Sequence, residues 1–459
     1  MGLCGVSYYA MSQWLAAARQ PPHLAAILVW EGAHDFYRDV TYHGGILSNV
    51  FTRRWYERRV VANQHGQGER GLPDCGVGGL AAGPRTLPED QLAARRANLV
   101  TAIRDHPLDD GFHRARTAEL SQITVPLLSA ANWAGFGLHA RGNFSGFTGA
   151  ASAHKWLQVH GGRHKEWFYL PESLTLPRRF FDCFLKGAGN DWLAAPQIQL
   201  HIRRLGERFE LRTEHEWPLA RTRWTDLCLD AATHRMHDER PESQSSFTFA
   251  ALGQGVTFRT GPLPAQTELT GPVAAVLYVS SSTADADIFV TLQAFLADGG
   301  EVVFDGASEP AAPLAQGCLR LSHRHTDPAR SARWQPFHTH DRIDPAQPGR
   351  STASTSRSGP PASSCPPAPP SPSPSAGATS RAAPPTPPPT PSTSPAADSA
   401  HSCTATPSTG PHPPSPGRPT STPAATPPPA SSSRSSWPIP HCAAPRALGG
   451  NDDLPEPVS

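Results

Sequence analysis

Met1–Trp14 reads MGLCGVSYYAMSQW. Met1 to Val6 has the character of a strand, and Tyr8 to Trp14 that of a helix start. Ser7 sits between them, with Gly5 two residues before it. A serine hydroxyl is a poor nucleophile unless it has a neighbouring base, an exposed position and donors for an oxyanion. A sharp strand–Ser–helix turn supplies the exposure. It also aims the N–H of the next residue, Tyr8, at the reacting carbonyl from the positive end of the new helix. Gly5 removes a Cβ where strand and helix crowd. The helix is expected to turn Tyr8, Met11, Leu15 and Ala18 toward the core. The full G-x-S-x-G pattern is not met, because Tyr9 stands where the second Gly belongs. The competing reading is an ordinary N-capping serine.

Working outward, Pro21–Gly32 contains "LAAILVWEG", a second strand, so residues 1–45 form an α/β unit. Residues 46–122 are Arg-rich and mostly helical. "EDQLAARRANLVTAIRDH" is expected to be one helix, with Leu92, Leu99 and Ile103 at 3.6 spacing. Residues 123–205 return to α/β: "ITVPLLSAANW" is a buried strand, and "FTGAASAHKWLQVHGG" begins as helix and runs into another. "PRRFFDCFLKG" is an amphipathic helix stopped by Gly187. Residues 206–349 hold short alternating segments, with a hairpin signal at Asp298-Gly299-Gly300, and read as an antiparallel sandwich.

From Arg350 the text changes. Between Ser351 and Ser436 there is no Ile, Leu, Val, Met, Phe, Tyr or Trp. Such a segment cannot bury enough apolar surface to offset roughly 1–2 kcal/mol of chain entropy per ordered residue, so 350–459 is expected to be a disordered Pro/Ser/Thr-rich tail. It reads either as a linker or as an out-of-frame translation of GC-rich codons. The abruptness of the switch, inside what should be a β domain, favours the second.

The 459 residues carry 40 Lys+Arg against 39 Asp+Glu, a net charge of +1. That balance leaves no electrostatic footprint for nucleic acid or an acidic membrane. No stretch approaches the ~18 apolar residues of a membrane span. Eight cysteines without a C-x-x-C pair point to thiols and, by default, a cytoplasmic location. His160 and His164 have helical metal-pair spacing, but Gly161-Gly162 between them argues against a helix and no third ligand is obvious, so no metal and no cofactor are expected. "HRH" (His323, His325) and "HTH" (His338, His340) are assigned a structural or interface role.

Taken together, "GLCGVSYYAMSQWLAA", "PPHLAAILVWEGAHDFYRD", "ITVPLLSAANW", "LQVHGGRHKEWFY" and "RRFFDCFLKG" resemble, in order, the cocaine-esterase-like (CocE/NonD) hydrolases. These belong to the Xaa-Pro dipeptidyl-peptidase type of α/β-hydrolase. "TELTGPVAAVLYVSSSTADADIFVTL" resembles the jelly-roll domain that follows. The resemblance implies a partial α/β-hydrolase domain, a helical cap at 46–122 and a truncated jelly roll. It implies hydrolysis of a small ester or peptide substrate through an acyl-enzyme, with no nucleic-acid or membrane partner. Ser7 matches the family's nucleophile in its G-x-S-Y motif and His164 its base, while Tyr8 supplies the oxyanion N–H. The family's Asp after "PLLSAANW" is missing, since Ala134-Gly135 stand there. The preceding strand offers Glu31 and Asp35 instead. Asp35 is expected to be the acid, with capping of the "FYRD" turn as its alternative.

The family places several strands and an oxyanion donor ahead of the elbow. The chain is therefore expected to be N-terminally truncated and impaired as a hydrolase. A non-catalytic remnant, or a binding module using the jelly roll, is the alternative.

Overall fold

The computed structural model describes residues 1–74, 76, 78–358 and 362–365. Its centre is a sheet whose first five strands run parallel: β1 (Gly2–Val6), β2 (Ala26–Trp30), β3 (Leu127–Asn132), β4 (Lys155–His160) and β5 (Ile198–Arg204). Neighbours in the sheet follow chain order, and β6 (Arg208–Glu214) returns antiparallel to β5. β1 is the edge strand, paired with β2 from Gly2↔Ala26 to Val6↔Trp30.

Three helices make the crossovers: α1 (Tyr8–Ala18), α2 (Ala140–Gly149) and α3 (Thr175–Lys186). Strand periodicity sends alternate residues of β2 to opposite layers. Ile27 and Val29 pack with Ala10, Trp14 and Ala17 of α1. Ala26, Leu28 and Trp30 pack with Trp156, Phe180 and Trp192 on the α3 side. Every residue of β2 is buried, as expected of a parallel strand covered on both faces. α3 ends at Gly187, which takes the left-handed conformation (φ 60°), as the sequence predicts.

α1 is rotated from the expected face. Ala10, Gln13, Trp14 and Ala17 are buried, while Tyr8 is exposed. The reason is Trp14, whose indole lies fully buried and donates from Nε1 to Gly32 O at 3.2 Å. The largest apolar side chain claims the core position, and losing it would cost about 3–5 kcal/mol. Gly5 behaves as expected: a Cβ there would lie 2.8 Å from Tyr9 Cβ.

Between β2 and β3 the chain makes short helices, among them Asn49–Trp55, Glu89–Ala94 and Leu99–Asp105. The single helix expected over 89–106 is thus two. Asn98 accepts from Thr101 N at 3.1 Å and starts a new helix there, because a side-chain cap satisfies an otherwise orphaned donor.

The C-terminal region holds a four-stranded antiparallel sheet in the order Val273–Val279, Thr352–Ser358, Ala315–Arg320, Asp287–Leu292. Thr267–Thr270 and Ala362–Cys365 pair with each other and extend the central sheet beside β5. Leu269 of the central sheet and Leu292 of the four-stranded one pack on one cluster with Val302, Phe304 and Leu314. Asp298–Gly300 turns the chain, with Leu296 N donating to Gly300 O, but only the Phe295–Glu301 bridge forms there. Two strands lie past residue 350, where a disordered tail was expected to begin. Backbone pairing there needs no apolar side chains: Thr352–Ser358 completes a ladder along Val273–Val279. The remainder of the tail, and the choice between linker and out-of-frame readings, lies outside the described residues. Among them, no helix is long and apolar enough to cross a membrane.

Candidate active site

Four parallel strands deliver their C-terminal ends to one place, the usual location of chemistry in such sheets. Ser7 follows β1, Glu31 follows β2, His139 closes the loop after β3, and His164 lies in the loop after β4.

Ser7 has φ 64° and ψ −126°, a conformation costly for any residue with a Cβ. Its N–H donates to Trp30 O at 3.0 Å and its carbonyl accepts from Met11 N at 2.9 Å, so both flanking elements hold the kink. The hydroxyl makes no helix-capping bond. Ser7 Oγ instead lies 3.2 Å from His139 Nε2. The capping alternative is therefore not what the side chain does.

His164 Nδ1 donates to Glu31 Oε2 at 2.6 Å, a short charge-assisted contact. The N–H of Lys165 reaches Glu31 Oε1 at 3.3 Å, and His160 Nε2 lies 3.8 Å from the same oxygen. Glu31 is fully buried. Burial alone would push its carboxyl up, but the His164 hydrogen bond and the charges of His160, His164 and His139 outweigh it and hold it lowered to about 2. His160, sandwiched between Trp30 and Trp167, is itself pushed below the ordinary histidine range by burial.

The rings of His139 and His164 stack at 4.7 Å with 14° between their planes. The imidazole in contact with Ser7 is thus His139, and His164 is the one oriented by a carboxylate. Glu31 (φ 45°) and Lys165 (φ 70°) join Ser7 in the left-handed region, so three non-glycine backbone outliers meet at this point. Such strain persists only where surrounding structure over-determines it, and it clusters at functional sites.

Asp35 is elsewhere. Its side chain accepts from Arg38 N at 2.8 Å and pairs with Arg38 Nη1 at 2.9 Å. Arg38 also reaches Asp109 at 2.7 Å and the carbonyls of His338 and Thr339. The expectation of Asp35 as the acid is corrected: it caps the Phe36–Thr41 turn, and the carboxylate on His164 is Glu31. Burial would raise its pKa, but Arg38 and Arg141 hold it below the ordinary carboxylate range. Burying a charge costs several kcal/mol unless it is paired, and Arg38 is the pair that Asp35 found.

His139 was not anticipated. It precedes α2 in "LHARGN", and that segment is tied to the Glu31 loop. Arg141 pairs with Asp39 at 2.5 Å, and Asn143 Oδ1 accepts from Gly32 N at 2.7 Å. Asn143 Nδ2 donates to Val29 O and to Ser129 Oγ. Gly142 packs so closely that a Cβ would lie 2.6 Å from Ala33 Cα. The available signal was Arg and Asn on a helix face that must be buried between strands. The loop around residue 307 supports His164 from the C-terminal region, where Ala307 O accepts from His164 N at 2.9 Å. His323 and His340 meet through Nδ1 atoms 3.1 Å apart, next to the carbonyls of His338 and Thr339 that Arg38 holds.

Tyr8 heads α1, so its N–H points from the helix start beside Ser7, while its ring stacks on Tyr9 at 4.2 Å and lies edge-on to Trp55. Glu31, His139 and His164 each place one donor atom within 4.8 Å of the others.

Residues 1–166 match the X-Pro dipeptidyl-peptidase (S15) family, and residues 190–353 match the X-Pro dipeptidyl-peptidase C-terminal non-catalytic domain. Cocaine esterase of Rhodococcus sp. (strain MB1 Bresler) is 25% identical over 394 residues, which cover 71% of this chain and 66% of the relative. The crystal structure of a CocE/NonD family hydrolase from Staphylococcus aureus superposes with a TM-score of 0.69 at 32% identity, covering 79% of this chain and 61% of that one. An aminopeptidase from a marine-sediment Thaumarchaeota archaeon shares the fold, with a TM-score of 0.56 at 15% identity, over 80% of this chain and 67% of its own. The chain therefore spans a little under two thirds of the length of the first two relatives.

Proposed function

Since this chain belongs to the CocE/NonD-type hydrolase family, we propose that it is a serine hydrolase that cleaves small acyl esters or amides through an acyl-enzyme, with Ser7 as nucleophile, His164 as base and Glu31 as the orienting acid. The observation that carries the reading is the junction of two halves. A serine on a strained strand–helix corner touches one imidazole, and a second imidazole stacked on the first is fixed by a buried carboxylate.

In this mechanism Ser7 Oγ attacks the acyl carbonyl and its proton passes to His164 Nε2. Glu31 holds Nδ1–H, fixing the tautomer and stabilising the imidazolium that forms. The oxyanion accepts from Tyr8 N–H at the positive end of α1. His164 then protonates the leaving group, and water repeats the sequence to free the acid. To reach His164, Oγ leaves the resting contact with His139 by rotation about Cα–Cβ.

A second assignment of the base is favoured by the 3.2 Å contact itself: His139 takes the proton directly while the His164–Glu31 pair stabilises its charge. Labelling with a fluorophosphonate probe tests both. Ser7→Ala must abolish labelling of the folded chain, and labelling that persists, or absent labelling of folded wild type, refutes the function. His164→Gln must lose labelling while His139→Gln keeps part of it. The reverse order selects His139.

A further inference from the structure

Beyond hydrolysis, the cluster at Ser7 has the makings of a cation site. The donor atoms of Glu31, His139 and His164 lie within 4.8 Å of one another, come from three separate segments, and are backed by Ser7 Oγ at 3.2 Å from His139 Nε2. We propose that these three side chains capture one Zn2+ ion, or a cation of the same borderline class, and that capture reversibly blocks the serine.

The chemistry of the donors selects the ion. Two imidazoles and one carboxylate, with a fourth position open, suit Zn2+, whereas Mg2+ and Ca2+ require mostly oxygen ligands. At Zn–N and Zn–O distances of about 2.0–2.2 Å, tetrahedral ligand atoms stand roughly 3.3–3.5 Å apart. The widest separation in the cluster must therefore shorten by up to about 1.5 Å, while the 2.6 Å His164–Glu31 contact opens to admit the ion. Glu31 is fully buried and anchored, so the histidines make the adjustment. His164, the more exposed of the two, sits on a loop, and His139 sits at a helix start. When the metal enters, the proton of the His164–Glu31 hydrogen bond moves through solvent from Nδ1 to Nε2, so His164 stays a neutral ligand. Glu31 then offsets one of the metal's two charges, which a buried ion needs.

Binding follows from this geometry alone. The block rests on the serine-hydrolase reading: with one nitrogen of each imidazole on the metal and the other protonated, neither His139 nor His164 has a lone pair left to receive the Ser7 proton.

The test uses the full chain, freed of metal by chelation. Calorimetric titration with ZnCl2 should show one equivalent bound, unaffected by excess Mg2+, and His139→Gln, which removes a direct ligand, should weaken it by at least the roughly 10–100-fold that loss of a supporting residue behind a ligand costs. Co2+ added to wild type should give the intense visible bands of a four-coordinate N/O site, a readout that needs no variant. Fluorophosphonate labelling of Ser7 should fall in proportion to Zn2+ occupancy and return with EDTA. Equal Zn2+ uptake by wild type and His139→Gln, or the weak spectrum of six-coordinate Co2+, overturns the site. Labelling or hydrolysis undiminished at saturating Zn2+ overturns the block. Absent labelling in metal-free folded protein overturns the hydrolase reading instead, while calorimetry still decides the binding.

Discussion

Glu31→Gln separates the two carboxylates of the "EGAHD" segment most sharply. Glu31 is fully buried and takes a 2.6 Å hydrogen bond from His164 Nδ1. When His164 gains a proton, the new charge sits about 4 Å from the centre of the carboxylate. At an effective dielectric near 20 that attraction is worth about 4 kcal/mol. At about 1.36 kcal/mol per decade, losing it slows acylation on the order of 10³-fold. A glutamine amide can also present its NH2 to Nδ1 and favour the wrong tautomer, which brings the loss toward ~10⁴-fold. The side chain keeps its size, so the fold should survive.

Asp35→Asn should do the opposite. It breaks one arm of the Arg38 pair, with about 3 kcal/mol lost from stability, yet it touches neither histidine of the site. The assay is the second-order rate of fluorophosphonate labelling on gel-filtered folded protein, with a urea midpoint measured on the same sample. The reasoning is refuted if Glu31→Gln labels within tenfold of wild type, or if folded Asp35→Asn loses labelling as deeply.

Three further outcomes follow from the same geometry. Ser7→Gly should raise the melting temperature while abolishing labelling, because glycine relieves a φ 64°, ψ −126° conformation worth about 1–3 kcal/mol of strain; Ser7→Ala, which keeps a Cβ, should not. Gly142→Ala should destabilise by about 1–3 kcal/mol and lower activity together, since its Cβ meets Ala33 Cα and disturbs the helix that His139 begins. Burial lowers His323 and His201 to about 4, so between there and the unfolded value near 6.5 the unfolded chain binds more protons. Stability is then full above about pH 6.5 and falls toward pH 4, by up to about 1.4 kcal/mol per pH unit for each histidine. Urea midpoints at pH 7, 6 and 5 test this, and His201→Gln should flatten the slope.

The strand–Ser–helix corner was legible because it is local. Val6, Ser7 and Tyr8 are neighbours, and Gly5 marks the crowding where a Cβ would strike Tyr9. The buried β2 was equally plain, since an unbroken apolar run admits few other fates, and α3 announced its own stop at Gly187. The buried face of α1 differs from the periodic stripe because periodicity does not fix which side chain claims the core. Trp14 decided that through Gly32 and α2, neither of which is local to it. The antiparallel strands past residue 350 escaped notice because backbone ladders form from Ser and Thr without leaving an apolar pattern.

The sequence by itself determined the parallel α/β unit, the strand–Ser–helix corner at Ser7 and the two carboxylates, Glu31 and Asp35, that follow β2. Only the tertiary structure decided that Glu31 takes His164 while Asp35 takes Arg38, and that His139 reaches Ser7. Those contacts span 133 and 132 residues of chain. Over such separations no local preference operates. Which buried charge meets which partner is settled when the strands assemble, by the cost of leaving any one of them unpaired.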